Sequence, residues 1–191
     1  MMNTETIWRP DIQQRVFREV VESFSCPGRV RDLAGVIETA SAQTAVLATL
    51  MDGETTLADP HGQLAPADWP LLQARQTATD SARYIAVDGQ RAPDFQPSLG
   101  TLASPELGAT LLIKVSALGG GPLRLTLSGP GIAGHSELRV TGLHGDWLQQ
   151  RAHWVAGFPL GIDIILCAPS QIAALPRTTQ VSMTSLAKGA A

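Results

Sequence analysis

The sequence predicts an α/β fold, a three-layer sandwich in which helices cover both faces of a central mixed β-sheet. Two apolar runs, residues 110–115 and 162–167, are nearly continuous, which is typical of strands buried on both faces. Segments with helical periodicity alternate with these runs, and such alternation favours helices packed on a sheet. The short glycine-rich connection at residues 119–122 predicts one antiparallel strand pair, so the sheet is expected to be mixed.

The first predicted element is an amphipathic helix. Apolar residues recur at helical spacing between Ile12 and Phe24, and the intervening positions are mostly polar or charged. Pro10 is tolerated in a first helical turn, and Pro27-Gly28 is a stop signal. We therefore expect one face of this helix to pack on the core.

A second helix is predicted over residues 42–51, which are apolar on nearly every side and follow Ser41, a favourable N-cap. A short strand over residues 55–58 comes next. A third helix is expected to begin near Asp68 and to continue through Arg75, with a proline tolerated in its first turn.

The second half of the chain is predicted to be rich in strands. The best candidates are residues 84–87, 110–118, 123–128 and 162–168. Before the last of these, Asp146 is a candidate N-cap that Gln149 answers at the third position, in a helix whose apolar stripe contains Trp147 and Trp154.

Composition indicates one ordinary domain spanning residues 1–191, with residues 1–9 and 186–191 as flexible tails. The net charge of −3 offers no basic surface of the kind that nucleic acid binding needs. No apolar stretch approaches the roughly 20 residues that cross a bilayer, and no signal-peptide core is visible, so the expected location is cytoplasmic. Cys26 and Cys167 stand far apart, which signals neither a disulfide framework nor a zinc ribbon.

The glycine-rich segment Gly129-Pro-Gly131-Ile-Ala-Gly134 formally matches a dinucleotide-binding pattern. That site also needs a helix opening at the last glycine and an acidic residue about 20 positions later, and both are missing here. A tight turn between strands is the favoured interpretation. The alternative is an exposed nest of backbone amides around Gly129 and Gly131 that touches an anion.

Metal binding and nucleophilic hydrolysis have little support in the sequence. His144 and His153 are nine residues apart, which places them on opposite faces of any shared helix, and His61 and His135 lack neighbouring ligands. All four histidines are expected at the surface. Because the histidines lack companion ligands, no metal is expected. No Gly-x-Ser-x-Gly nucleophile elbow is present, so no catalytic residue is assigned.

The most specific candidate site joins Asp163 to Arg177, Thr178 and Thr179. These residues come close if residues 162–168 and 171–175 form a hairpin through Pro169-Ser170. A guanidinium and two hydroxyls can bind a phosphate by donating hydrogen bonds to its oxygens. The competing interpretation is structural: Asp163 pairs with Arg177, and the hydroxyls close a partly buried turn.

Several motifs in one order resemble the H subunit of the bacterial carbon-phosphorus lyase core complex, over roughly residues 10–182. They are Ser25-Cys-Pro-Gly28, Thr49-Leu-Met-Asp52, Thr55-Thr-Leu-Ala-Asp59, Pro105-Glu-Leu-Gly-Ala-Thr-Leu-Leu112, Leu127-Ser-Gly-Pro-Gly-Ile132, Phe158-Pro-Leu-Gly-Ile-Asp163 and Leu175-Pro-Arg-Thr-Thr179. The resemblance implies a fold like the large domain of pyridoxal-phosphate-dependent transferases without the cofactor. Schiff-base chemistry needs a lysine, and the two available are Lys114, expected mid-strand, and Lys188 in the tail, so no cofactor is expected.

The resemblance also implies a function. Members of that complex make α-D-ribose 1-methylphosphonate 5-triphosphate from ATP and methylphosphonate, releasing adenine, and an H-type chain would be an accessory or scaffold subunit with G, I and J partners. A homodimer is expected for the isolated chain. The rivals are a free-standing small-molecule or nucleotide-binding enzyme and a plain self-associating domain. Exposed tryptophans are candidate partner contacts: Trp8, and Trp147 or Trp154 if one faces outward.

Overall fold

The computed structural model describes residues 6–185. The helices are α1 (Pro10–Ser25), α2 (Ala34–Ile37), α3 (Ala42–Leu50), α4 (Trp69–Leu72) and α5 (Asp146–Trp154). The strands are β1 (Arg31–Asp32), β2 (Thr56–Ala58), β3 (Arg75–Gln76), β4 (Tyr84–Asp88), β5 (Thr110–Lys114), β6 (Ala117–Ser128), β7 (Ser136–Thr141), β8 (Asp163–Cys167), β9 (Gln171–Leu175) and β10 (Gln180–Ser185).

Seven strands form the central sheet in the order β1-β9-β8-β5-β4-β2-β3. Strands β8, β5, β4, β2 and β3 run parallel, whereas β9 is antiparallel to both β8 and β1. The predicted mixed sheet is therefore confirmed, and so is the hairpin through Pro169-Ser170, which pairs Ile164 with Leu175. Every side chain from Leu111 to Ile113 is fully buried, as expected for a strand covered on both faces.

The two faces of this sheet are covered differently. Helices α1, α3 and α4 pack on one face, where Val16, Leu47 and Leu72 are buried against Leu112 and Ile165. On the other face lies a second, three-stranded antiparallel sheet in the order β10-β6-β7, together with α5. The expectation of helices on both faces needs this correction: one face is covered by helices, the other mainly by a sheet.

The predicted strand over residues 110–118 is wrong, because the chain leaves the central sheet after Lys114. Residues 117 onward belong to β6 in the second sheet, and the glycines 119–121 form a bulge within β6 where the register against β7 shifts between Leu118 and Leu123. A Cβ at Gly121 would lie 2.6 Å from the Val140 carbonyl oxygen, and φ there is +129°. The glycines therefore kink one long strand instead of turning a hairpin.

The observed helices agree with the predicted helices except at some of their ends. Helix α3 begins after Ser41, whose Oγ accepts the Thr44 N–H at 3.0 Å, as predicted. Helix α4 stops at Leu72 because Gln73 is left-handed (φ +57°), so Arg75 lies in β3 and not in a helix. Asp146 makes no side-chain cap, and Gly145 occupies the N-cap position of α5.

Order at the N-terminal side begins earlier than the predicted tail boundary at residue 9. Thr6–Trp8 form a 3₁₀ helix, and Ile7 is only 1% exposed. Residues 1–5 and 186–191 of the expected tails lie outside the described residues. Within residues 6–185, the helices are too short or too polar to span a lipid bilayer.

Candidate functional site

Asp163 and Arg177 meet at the amino-terminal end of β8, where the sequence placed its main candidate site. Arg177 donates from Nη2 and Nε to Asp163 Oδ2 at 2.7 and 3.2 Å, and its backbone N–H donates to Oδ1 at 2.7 Å. The pair is largely buried: the Arg177 side chain is 12% exposed and the Asp163 side chain is 20% exposed. The β8–β9 hairpin creates this contact, because it brings the residue that opens β8 next to the turn that follows β9.

Arg177 also joins two loops that are distant in sequence. Its Nη1 donates to the carbonyl oxygens of Pro105 at 2.8 Å and Pro159 at 3.3 Å. Four of the five guanidinium N–H groups are thus used within the protein, one from Nε, two from Nη1 and one from Nη2. A bidentate phosphate grip needs two free donors, so the geometry favours the structural interpretation of this arginine.

A second arginine, which the sequence analysis did not select, supports the same turn. Arg151 on α5 is 3% exposed, and its Nη2 donates to the carbonyl oxygens of Pro176 at 2.6 Å and Thr179 at 2.9 Å. Burial lowers the pKa of Arg151 to about 10, although the nearby Asp163 charge opposes this shift, so Arg151 remains a cation at neutral pH. Its spacing of four residues from Trp147 on α5 was the available signal, because that places both side chains on the same helix face.

The two threonines have different environments. Thr178 is exposed, whereas Thr179 is buried and its Oγ1 has no hydrogen-bond partner. Arg151 Nε is also buried without a partner. The turn therefore offers no pair of hydroxyls aimed at a common ligand, and its carbonyls are occupied by Arg151.

The two glycines of interest lie in different places. Gly129 (φ +129°) faces the turn after β9, and a Cβ there would lie 3.0 Å from the Thr178 carbonyl oxygen. Gly131 (φ +80°) lies instead against the end of α1, where a Cβ would overlap the Ser25 carbonyl oxygen. The chain continues into β7, not into a helix, so the dinucleotide-type interpretation has no structural basis.

We predict that Gly131→Ala destabilises the protein more than Gly134→Ala does. Both glycines have positive φ, which costs a residue with a Cβ about 1–2 kcal/mol. Only Gly131 adds a steric overlap, since a Cβ at Gly134 would meet open space. Urea unfolding of both variants measures the difference, and equal destabilisation would contradict close packing of this loop on α1.

The histidines and Lys114 deviate from expectation in two respects. The His61 side chain is 1% exposed, so it is not a surface residue; its Nδ1 accepts the Asp88 N–H at 3.0 Å, and Nε2 lies 3.6 Å from Asp94 Oδ1. Lys114 is the exposed last residue of β5, not a mid-strand residue. Within residues 6–185, His, Cys, Asp and Glu side chains nowhere gather in threes around a position suited to a metal ion.

Neither Trp147 nor Trp154 faces outward, so the condition on which either was a candidate partner contact is not met. Both side chains are buried in an aromatic cluster, with the Phe95 ring centroid 6.0 Å from that of Trp147 and 6.2 Å from that of Trp154. Trp147 Nε1 donates to the Arg91 carbonyl oxygen at 2.8 Å. These tryptophans hold α5 against the central sheet. Trp8 is partly buried against the helical face.

Comparison with known proteins shows that this chain is similar to proteins of phosphonate metabolism. A family model described as bacterial phosphonate metabolism protein (PhnH) matches residues 6–182. A Stutzerimonas stutzeri protein assigned by name as the C-P lyase subunit HtxG is 42% identical, over 93% of this chain and 89% of its own length. The α-D-ribose 1-methylphosphonate 5-triphosphate synthase subunit PhnH of Rhizobium meliloti (strain 1021) is 32% identical, over 88% of this chain and 89% of its own length.

Proposed function

The chain belongs to the PhnH family of bacterial phosphonate metabolism proteins, and we propose that it is an accessory subunit of a carbon-phosphorus lyase core complex. In this role it supports the formation of α-D-ribose 1-methylphosphonate 5-triphosphate from ATP and methylphosphonate, with release of adenine, in the cytoplasm. The observation that carries the proposal is the similarity, across nearly the whole chain, to a relative named as a subunit of that synthase.

The geometry of the Asp163–Arg177 site supports an accessory role, in which the chain does not catalyse a reaction by itself. Asp163 and Arg177 neutralise each other, Arg177 Nη1 donates to two backbone carbonyls, and Arg151 Nη2 donates to two more. A hydrolase or transferase needs a free nucleophile or base next to a binding group. We infer that this cluster holds the loops around residues 105, 159 and 177 in place, so that the chain can present them to another protein.

The proposed partners are the G, I and J subunits of the core complex, with a homodimer for the isolated chain. Exposed apolar side chains of the kind that mark interaction surfaces support this: Phe17 and Val21 on α1, and Leu107 and Phe158 in the loops that Arg177 joins. We further propose that the central sheet with its helical face is related to the large domain of pyridoxal-phosphate-dependent transferases, without their cofactor.

Co-expression tests the proposal. The tagged chain should retain G, I and J subunits through purification, and the assembled complex should release adenine from ATP when methylphosphonate is added. The chain alone should release none, because an accessory subunit depends on its partners for the chemistry.

The alternative, a free-standing small-molecule or nucleotide-binding enzyme, predicts the reverse pattern. Turnover by the isolated chain, or an assembly of G, I and J that is fully active without it, would overturn the accessory role. Sedimentation over a range of concentrations measures the dimer separately, and a concentration-independent monomer would remove that part of the proposal.

A further inference from the structure

A cavity of about 330 Å³ opens at the carboxyl ends of β5 and β8. The contact between Asp163 and Arg177 lies at the opposite end of β8. The floor of the cavity is formed where β5 and β8 end, and its walls are the start of α3 and the loop before it. The lining includes Glu38, Ser41, Gln43, Lys114 and Cys167. In open α/β sheets, ligands bind in the crevice outside the carboxyl ends of the parallel strands, which is where this cavity lies.

Two opposite charges line the cavity without meeting each other. Lys114 is exposed at the end of β5, and Glu38 is exposed in the segment before α3. In the described part of the chain neither side chain belongs to an ion pair, and the Glu38 carboxylate accepts only the Thr6 hydroxyl, at 3.0 Å. Glu38 also has a backbone φ of +51°, a conformation that costs a non-glycine residue free energy. An ammonium group and a carboxylate thus remain free for a ligand.

Gln43 adds an acceptor to the same cavity. The residue is 3% exposed, and its Nε2 donates to the carbonyl oxygens of Leu112 at 2.8 Å and Val87 at 3.3 Å. These two contacts use both N–H groups and settle the orientation of the amide. Its Oε1 accepts no hydrogen bond from residues 6–185 and is therefore open to a donor in the cavity.

Two of the amides at the start of α3 are already used within the protein. The Ala42 N–H donates to the Pro169 carbonyl oxygen at 2.9 Å, and the Thr44 N–H donates to Ser41 Oγ at 3.0 Å. Lys114 supplies the positive charge available for an oxyanion, while Glu38 and Gln43 Oε1 are acceptors that suit an ammonium or another donor.

We propose that this cavity binds a small zwitterion, with its oxyanion on Lys114 and its ammonium group on Glu38 and Gln43 Oε1. Aminoalkylphosphonates and short amino acids share this chemistry. A simple anion is disfavoured, because it pairs with Lys114 but places negative charge near Glu38 and makes no use of Gln43 Oε1. The site goes beyond the accessory role, since it gives the chain a ligand of its own whether or not partners are bound.

Calorimetric titration of the isolated full-length chain with three compounds tests the proposal. 2-Aminoethylphosphonate carries both charges, methylphosphonate lacks the ammonium group, and β-alanine replaces the phosphonate with a carboxylate. We expect 2-aminoethylphosphonate to bind at least about tenfold more tightly than methylphosphonate, the size of one lost charge-assisted hydrogen bond. Comparison with β-alanine shows which oxyanion the site prefers. Equal affinity for methylphosphonate, or no binding of either zwitterion, overturns the proposal.

Matched variants assign the binding to this cavity. Lys114→Met should weaken 2-aminoethylphosphonate binding about tenfold or more, whereas Lys188→Met, which changes the only other lysine of the chain, should leave it unchanged. Glu38→Gln should weaken binding of the zwitterion but not of methylphosphonate. Thermal melting of each variant checks that the fold is intact. Unchanged zwitterion affinity in Lys114→Met would place the ligand elsewhere and overturn the assignment.

Discussion

Arg177→Ala is expected to reduce the free energy of unfolding by about 3–5 kcal/mol, the range for removing one partner of a buried ion pair. The loss has two sources. Asp163 keeps only the backbone N–H of residue 177 as a donor, and the carbonyl oxygens of Pro105 and Pro159 lose their shared partner. Urea unfolding of wild type and Arg177→Ala measures the change, and Asp163→Asn should also destabilise the protein because it removes the opposite charge.

The matched control is Arg139→Ala in the second sheet. Arg139 also pairs with a carboxylate, that of Glu137, but both side chains are well exposed, so this change should leave stability nearly unaltered. ATP titration of the same proteins separates the two interpretations of the site. If Arg177→Ala abolishes ATP binding and leaves the unfolding curve unchanged, Arg177 grips a ligand and the structural interpretation is wrong.

The sequence predicts the Asp163–Arg177 contact because the contact depends on local chain geometry. A two-residue connection between two apolar runs predicts a hairpin, and a hairpin brings its outer ends together. Arg151 could not be paired with this turn in the same way, since its contact depends on how α5 packs over the sheet. Helical spacing places Arg151 on the same face of α5 as Trp147. It does not identify the carbonyl partners of Arg151, Pro176 and Thr179, which lie 25 and 28 residues away in the sequence.

The second sheet was the main feature of the fold that the sequence did not reveal. Residues 110–114 and 117–128 look like one strand followed by a hairpin, because an apolar run leads into a glycine-rich segment. Strand periodicity does not specify which sheet a strand joins, and three consecutive glycines suit a bulge as well as a turn. The same ambiguity placed Lys114 in mid-strand, although it is the last residue of β5, and so the cavity beside it was not predicted.

The two ends of the parallel strands differ in what surrounds their charged groups. At the amino-terminal end of β8, Asp163 and Arg177 pair with each other, and Arg177 and Arg151 donate to backbone carbonyls. At the carboxyl-terminal ends of β5 and β8, Lys114, Glu38 and Gln43 Oε1 line a cavity without such partners among the described residues. The largely buried Asp163–Arg177 pair stabilises the fold, whereas charged groups that face a cavity are open to a ligand. We therefore propose a structural role for the Asp163–Arg177 pair and a ligand-binding role for the cavity beside Lys114.

Trp147→Ala is expected to reduce the free energy of unfolding by about 3–5 kcal/mol, as is usual for truncating a buried aromatic side chain. Trp147 is 0% exposed, lies in the aromatic cluster with Phe95 and Trp154, and donates to the Arg91 carbonyl oxygen. The change would leave a cavity beneath α5 and an unpaired carbonyl. Phe17→Ala, which truncates an aromatic residue that is 49% exposed on α1, should cost far less.

The same pair of variants tests whether either aromatic residue is a partner contact. Trp147 has no surface to offer a partner, so Trp147→Ala should lower stability first and affect co-purification with G, I and J only through unfolding. Phe17→Ala should retain its melting temperature and reveal any contact made through α1 as a loss of assembly. A Trp147→Ala protein with wild-type unfolding and impaired assembly would show that this tryptophan reaches the surface of the folded chain, and the aromatic core beneath α5 would have to be abandoned.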